Sequence, residues 1–221
     1  MPATAAWRIV YRSTSATGEA IGVTGTLMVP EVAWPDGAAG AGVGLGARPL
    51  VAYAVGGHGV GAQCTPSLQF REGTQLELAV VAAHLAQGWA VVVTDYQRAP
   101  APTFLNARAS GQAVLDSVRA ARQVPLGAGA GAEAGAGAGT PAFGTVALHG
   151  YGQGGTAVAA AAELQPSYAP DVELRGVAAG GVAADLAGAL RSLDGGARFG
   201  LVPLVLAGLR AAHPELPVDG L

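Results

Sequence analysis

The sequence predicts an α/β fold, a mostly parallel sheet with helices on both faces and an N-terminal hairpin. Three observations predict it. From Leu50 onward, short apolar runs alternate with segments of helical composition. These runs are continuously apolar and show no in/out alternation, as strands buried on both faces do. Ahead of them, two β-rich runs, 7–12 and 21–29, flank a polar turn at Ser13–Gly18 and read as a hairpin.

The elements follow in order. Residues 30–49 form a loop with a Gly/Ala-rich piece at 37–46. Pro49–Val55 is a short apolar run, read as a buried strand, leading into the glycine loop Gly56–Gly61. Residues 72–87 have helical composition, and Gly88 stands where a C′ glycine belongs. Ala90–Asp95 is the next buried strand. Ser110–Arg122 reads as a helix, with Val114, Ser117, Val118 and Ala121 on one face. Residues 127–140 are low-complexity Gly/Ala and read as a flexible surface insertion. Thr145–His149 is a strand, Thr156–Leu164 an alanine helix ending near Pro166, and Leu174–Ala178 a further strand. After Val182 the strand signals stop, and Ala183–His213 is apolar and helical. The expected organisation is therefore a core over 1–182 and a separate helical segment over 183–221.

Composition narrows the function. The 221 residues contain 35 glycines and no lysine, and 12 Arg against 15 Asp+Glu give a net charge of −3. That balance excludes a basic nucleic-acid binder. One cysteine, Cys64, excludes an intrachain disulfide and a Cys-rich zinc site. No metal or cofactor is expected. The apolar run Phe199–Leu209 is broken by Pro203 and falls short of the roughly 20 apolar residues that span a bilayer. Met1–Ala6 shows no basic-then-apolar leader, so no export signal is visible.

The informative segment is Leu148–Gly155, between a strand and a helix. Two motifs fit. Gly150, Gly152 and Gly155 match G-x-G-x-x-G, a dinucleotide fingerprint that would seat a pyrophosphate at a helix N-terminus. Its ribose-binding carboxylate should lie about 20 residues on, at a strand end. Glu173 has that spacing but precedes its strand, and two βα units come before the motif. The other motif is the nucleophile elbow G-x-S-x-G, with Gly150 and Gly154 on the flanks and Gly152 at the serine position. The elbow needs φ > 0 at its centre. Glycine supplies that freely but carries no hydroxyl.

The surroundings favour the elbow. Tyr11-Arg12-Ser13-Thr14 with Val23-Thr24-Gly25-Thr26, Cys64-Thr65-Pro66-Ser67, Gly88 to Tyr96, Gly150 to Gly155, Pro166-Ser167-Tyr168-Ala169-Pro170, Val177 to Gly181 and Ala212-His213-Pro214 resemble, in order, the microbial secretory lipase family of α/β hydrolases. The resemblance implies an α/β-hydrolase core with an inserted helical cap, here a partial fold with the start of the cap at 183–221. It also implies hydrolysis of carboxylic esters, including triacylglycerols, and secretion.

Such chemistry needs a nucleophile, a base and an acid in the chain order Ser, Asp/Glu, His. Position 152 lacks the nucleophile, and the family's acid and base lie downstream of the cap. The expectation is thus a lipase- or esterase-like chain that is a catalytically incompetent fragment, or alternatively an acyl-binding pseudohydrolase. An open sheet edge would favour self-association. By resemblance, the oxyanion-hole amides are those of Gln153 and Asp95, with Tyr151, Gly154 and Gly155 completing the elbow. Asp95 reads equally as a strand-end turn residue. The Gly56–Gly61 loop reads as a tight turn that resembles an oxyanion loop in composition only.

Asp185, Asp194, His213 and Asp219 read as solvated or capping residues, and His149 as a satisfied core histidine. His58 on an exposed loop and His84 on a helix carry no assigned role. Cys64 reads either as a small apolar residue or as a free thiol.

Overall fold

The computed structural model describes residues 2–32, 34, 47–97, 102–126 and 143–215. The 37–46 piece, the 127–140 insertion and Asp219 lie outside them. One six-stranded sheet organises the chain, with strands β1 (Thr4–Thr14), β2 (Ala20–Pro30), β3 (Leu50–Ala54), β4 (Ala90–Thr94), β5 (Val146–Tyr151) and β6 (Leu174–Gly180) in the order β1-β2-β4-β3-β5-β6. β1–β2 and β2–β4 are antiparallel; β3–β4, β3–β5 and β5–β6 are parallel. The expected hairpin is present and longer than its apolar runs, with Thr4 opposite Pro30 and Trp7 opposite Leu27.

Two cores explain why β3 and β4 carry no polar alternation. Leu50, Ala52, Ala54, Ala90 and Val92 face the core under α3 (Ala107–Ala121) and α4 (Gln153–Tyr168). Tyr53, Val55, Val91 and Val93 face the other core, with Val81 and Leu85 of α2 (Leu78–Ala86) and Phe70 of α1 (Pro66–Glu72). Both faces are covered, so the central strands are apolar up to Thr94, whose buried hydroxyl is satisfied by Tyr11 OH at 2.6 Å. Asn106 caps α3 by accepting from the Ala109 N–H at 3.0 Å.

Several boundaries differ from expectation. The helix expected over 72–87 begins later, as α2 at Leu78, and Glu72 is instead the last residue of a separate helix, α1. Gly73, at φ +70°, ends α1 in the left-handed conformation, and Pro66 at the first turn of α1 is the start signal that composition alone obscured. The alanine helix begins three residues earlier than expected, directly at Gln153. It also runs through Pro166 to Tyr168, because a proline in the last turns forfeits one backbone bond without halting the residues after it. The apolar segment 183–213 is two helices, α5 (Leu186–Leu193) and α6 (Leu201–Ala212), separated at Asp194-Gly195-Gly196. Among the described residues no helix is long and apolar enough to cross a membrane.

Candidate functional site

β5 ends at Tyr151 and α4 begins at Gln153, so the whole strand-to-helix reversal is made by Gly152. Its φ of +60° and ψ of −119° lie where side-chain-bearing residues are strained. Its N–H donates to Gly180 O at 2.9 Å, which ties the turn to the end of β6. A Cβ at Gly152 would meet nothing within 4 Å. A side chain there would stand in open space at the tip of the turn.

The neighbouring glycines have a different reason. A Cβ on Gly150 would lie 2.5 Å from Gly154 backbone and 2.9 Å from Ala54 O. A Cβ on Gly154 would overlap the Ala54 carbonyl, and one on Gly155 the Gly180 carbonyl. These residues let the first turn of α4 pack directly on β3 and β6. The pattern separates the two motif readings. Gly154 is a free position in G-x-G-x-x-G but a required small residue in the elbow. Glu173 sits at the N-terminal end of β6, exposed and paired with Arg175 at 3.0 Å, away from the strand end that a ribose would need. The dinucleotide reading therefore lacks its carboxylate.

The loop after β3 lies beside the elbow, since a Cβ on Gly56 would be 3.0 Å from Tyr151 O. Glu77 fixes that loop. Its carboxylate accepts from the Gly56 N–H at 3.0 Å and from Tyr53 OH at 2.6 Å. His58 is not exposed as expected. Its ring stacks on Tyr96 at 5.6 Å, and Nδ1 lies 2.8 Å from Gly56 O. Burial pushes its imidazole below the usual histidine range, partly offset by the Gly56 carbonyl and the charges of Asp95 and Glu77. Tyr96 itself is held at φ +54°, 3 % exposed, with its hydroxyl donating to Val55 O at 2.9 Å. Cys64 is a free, half-buried thiol against Gly59.

Asp95 requires a correction. Its N–H donates to Thr24 O at 2.8 Å, because the β2–β4 pairing continues one residue past β4, and so it is not available to an oxyanion. The buried carboxylate accepts from Thr24 Oγ1 at 2.6 Å and from the Ser67 N–H at 2.7 Å. Asp95 is a clamp between β2, β4 and the start of α1. Gln153 is the first residue of α4, where helix amides have no intrahelical acceptor, and it is buried beside the turn.

The downstream acids and the last histidine sit in ordinary places. Asp185 caps α5 by accepting from the Gly188 N–H at 2.9 Å. Asp194 lies at the other end of that helix, and exposed His213 pairs with Glu215 at 3.3 Å. Among the described residues none of these three is hydrogen-bonded or ion-paired to the Gly152 turn. Sequence reasoning missed one pairing: His84 Nε2 lies 2.9 Å from His149 Nδ1, with Trp89 stacked on His84 and Tyr53 edge-on to His149. The two histidines are 65 residues apart, and only the crossover from α2 to β5 joins them. Among the described residues no three or more His, Cys, Asp or Glu cluster to hold a metal.

A family model described as secretory lipase matches residues 66–218. Lipase 1 of Candida albicans is 31% identical over 218 residues, covering 95% of this chain and 42% of the relative. A Mycobacterium tuberculosis protein named as a probable inactive lipase is 32% identical over 218 residues, covering 96% of this chain and 44% of its own length. The chain thus spans less than half the length of these curated relatives. Among solved structures, Candida antarctica lipase A in its closed state superposes with a TM-score of 0.75 at 24% identity, covering 96% of this chain and 46% of that one. At that identity the likeness establishes the fold.

Proposed function

Because the chain belongs to the secretory lipase family, we propose that it is a lipase- or carboxylesterase-type α/β-hydrolase module that does not turn esters over by itself. One observation carries the reading. The backbone at Gly152 holds the strained reversal that presents a nucleophile, while the residue there has no hydroxyl. By the family resemblance the Gln153 amide is the donor that would meet a developing oxyanion, and its place in the first turn of α4, where helix amides have no intrahelical acceptor, supports that role. A single amide of that kind can contribute a few kcal/mol to a transition state. Without an attacking oxygen and a base to take its proton, there is no transition state for it to stabilise. The ligand class is a carboxylic ester or lipid, and secretion follows the family as part of the same proposal. α5 and α6 are the beginning of its cap.

The test is hydrolysis of short and medium p-nitrophenyl esters by the purified chain. The expected rate is that of buffer alone. Turnover of roughly 1–1000 per second, the range of ordinary enzymes, overturns the reading and requires another nucleophile.

A further inference from the structure

A cavity of about 440 Å³ lies between the β1–β2 hairpin and helices α1 and α2, and it shares no lining residue with the elbow. Element lengths create it. α1 has 7 residues and packs on β2 and β4, so the same side of β1 is left without a helix over it. Val10, on the face that strand alternation gives to Ala6 and Arg8, is 74% exposed. Met28, Leu68, Phe70, Leu78 and Leu85 make the interior apolar. Thr26, cross-strand from Arg8, turns its hydroxyl to Ser67 Oγ at 2.7 Å, so these two polar groups bond each other.

Two exposed cations, Arg8 at the strand and Arg71 in the last turn of α1, line the same space. Neither has a carboxylate partner among the described residues, and the lining contains no Asp or Glu. An apolar interior ringed by two unpaired guanidiniums selects a ligand with an alkyl body and an anionic head. Guanidinium forks match carboxylate geometry in two parallel bonds. The volume falls within the range of small-molecule sites, about 300–1,000 Å³.

We propose that this cavity binds a medium-chain alkyl carboxylate, with the chain between Met28 and Phe70 and the carboxylate against Arg8 and Arg71. The site is separate from the elbow and does not depend on whether the chain hydrolyses esters.

The experiment is titration of the whole chain with dodecanoate below its micelle concentration, read by calorimetry. Dodecanol serves as the uncharged control and dodecylamine as the cationic one. The expected result is saturable 1:1 binding of dodecanoate that weakens at least tenfold in the Arg8→Gln/Arg71→Gln variant. The same variant should change dodecanol binding less than twofold. Both arginines are exposed, so this variant folds as the parent does. Ala6→Phe projects a ring into the cavity from the sheet surface and should abolish binding of both ligands. Absence of saturable dodecanoate binding overturns the proposal. So does equal affinity in the double Gln variant, or equally tight binding of dodecylamine.

Discussion

Gly154 sits so close to Ala54 that a Cβ on it would overlap the Ala54 carbonyl oxygen. Two positions away, a Cβ on Gly152 would meet nothing. Two glycines in one turn thus have opposite reasons to be glycine, packing at 154 and backbone dihedral at 152. Gly154→Ala must push α4 off β3 and should destabilise by about 2–3 kcal/mol, as overpacking does. Gly152→Ala meets only the dihedral penalty, about 1–2 kcal/mol. Urea unfolding of both variants checks the order; a larger loss at 152 would mean the turn is packed differently.

Gly152→Ser should restore no esterase activity. The hydroxyl would fit, because the space is open, but no described histidine or carboxylate contacts that turn to take its proton. The same substitution should lower stability by about 1 kcal/mol through its positive φ. Labelling by a fluorophosphonate probe would contradict this expectation.

Asp95→Ala should cost about 2–3 kcal/mol, since it strips a buried acceptor from both Thr24 Oγ1 and the Ser67 N–H. Thermal unfolding measures it. A loss below about 0.5 kcal/mol would remove Asp95 from its clamping role.

Stability should fall as pH drops below 6.5. Burial lowers both His58 and His84 below the ordinary histidine value of about 6.5, and the neighbouring His149 lowers His84 further. The unfolded chain therefore binds more protons in this window, and the folded state loses ground until the pH passes below the folded values. The groups facing His84 are His149, Tyr53 and Trp89; those facing His58 are Tyr96 and the Gly56 carbonyl, with Asp95 and Glu77 opposing the shift. Unfolding free energies between about pH 5 and 7.5 stay above the carboxylate range. His58→Gln/His84→Gln should flatten the slope, and an unchanged slope would place its origin elsewhere.

Among the described residues β6 pairs with β5 on one side only, and its residues 175–179 are exposed, Val177 by 40%. An unpaired edge of this kind templates strand addition. Concentration-dependent association is expected in size-exclusion chromatography, and Val177→Lys should reduce it. A parent chain that stays monomeric at every concentration would show the edge to be protected.

The apolar runs over 49–55 and 90–93 made the covered parallel sheet legible, because a strand buried on both faces takes a polar residue only where a hydrogen-bond partner meets it, as at Thr94 and Asp95. The Gly-Tyr-Gly-Gln-Gly-Gly run was legible as a tight strand-to-helix turn for the same local reason. The sequence could not say which glycine served packing and which the dihedral, since that depends on how near Ala54 and Gly180 come across the sheet. Nor could it show that the Asp95 amide is consumed by Thr24, 71 residues earlier, or that His84 meets His149. Local periodicity is written in neighbouring residues. Hydrogen-bond partners and cavities are set by the order in which strands pair, and in this chain that order is not the order of the sequence.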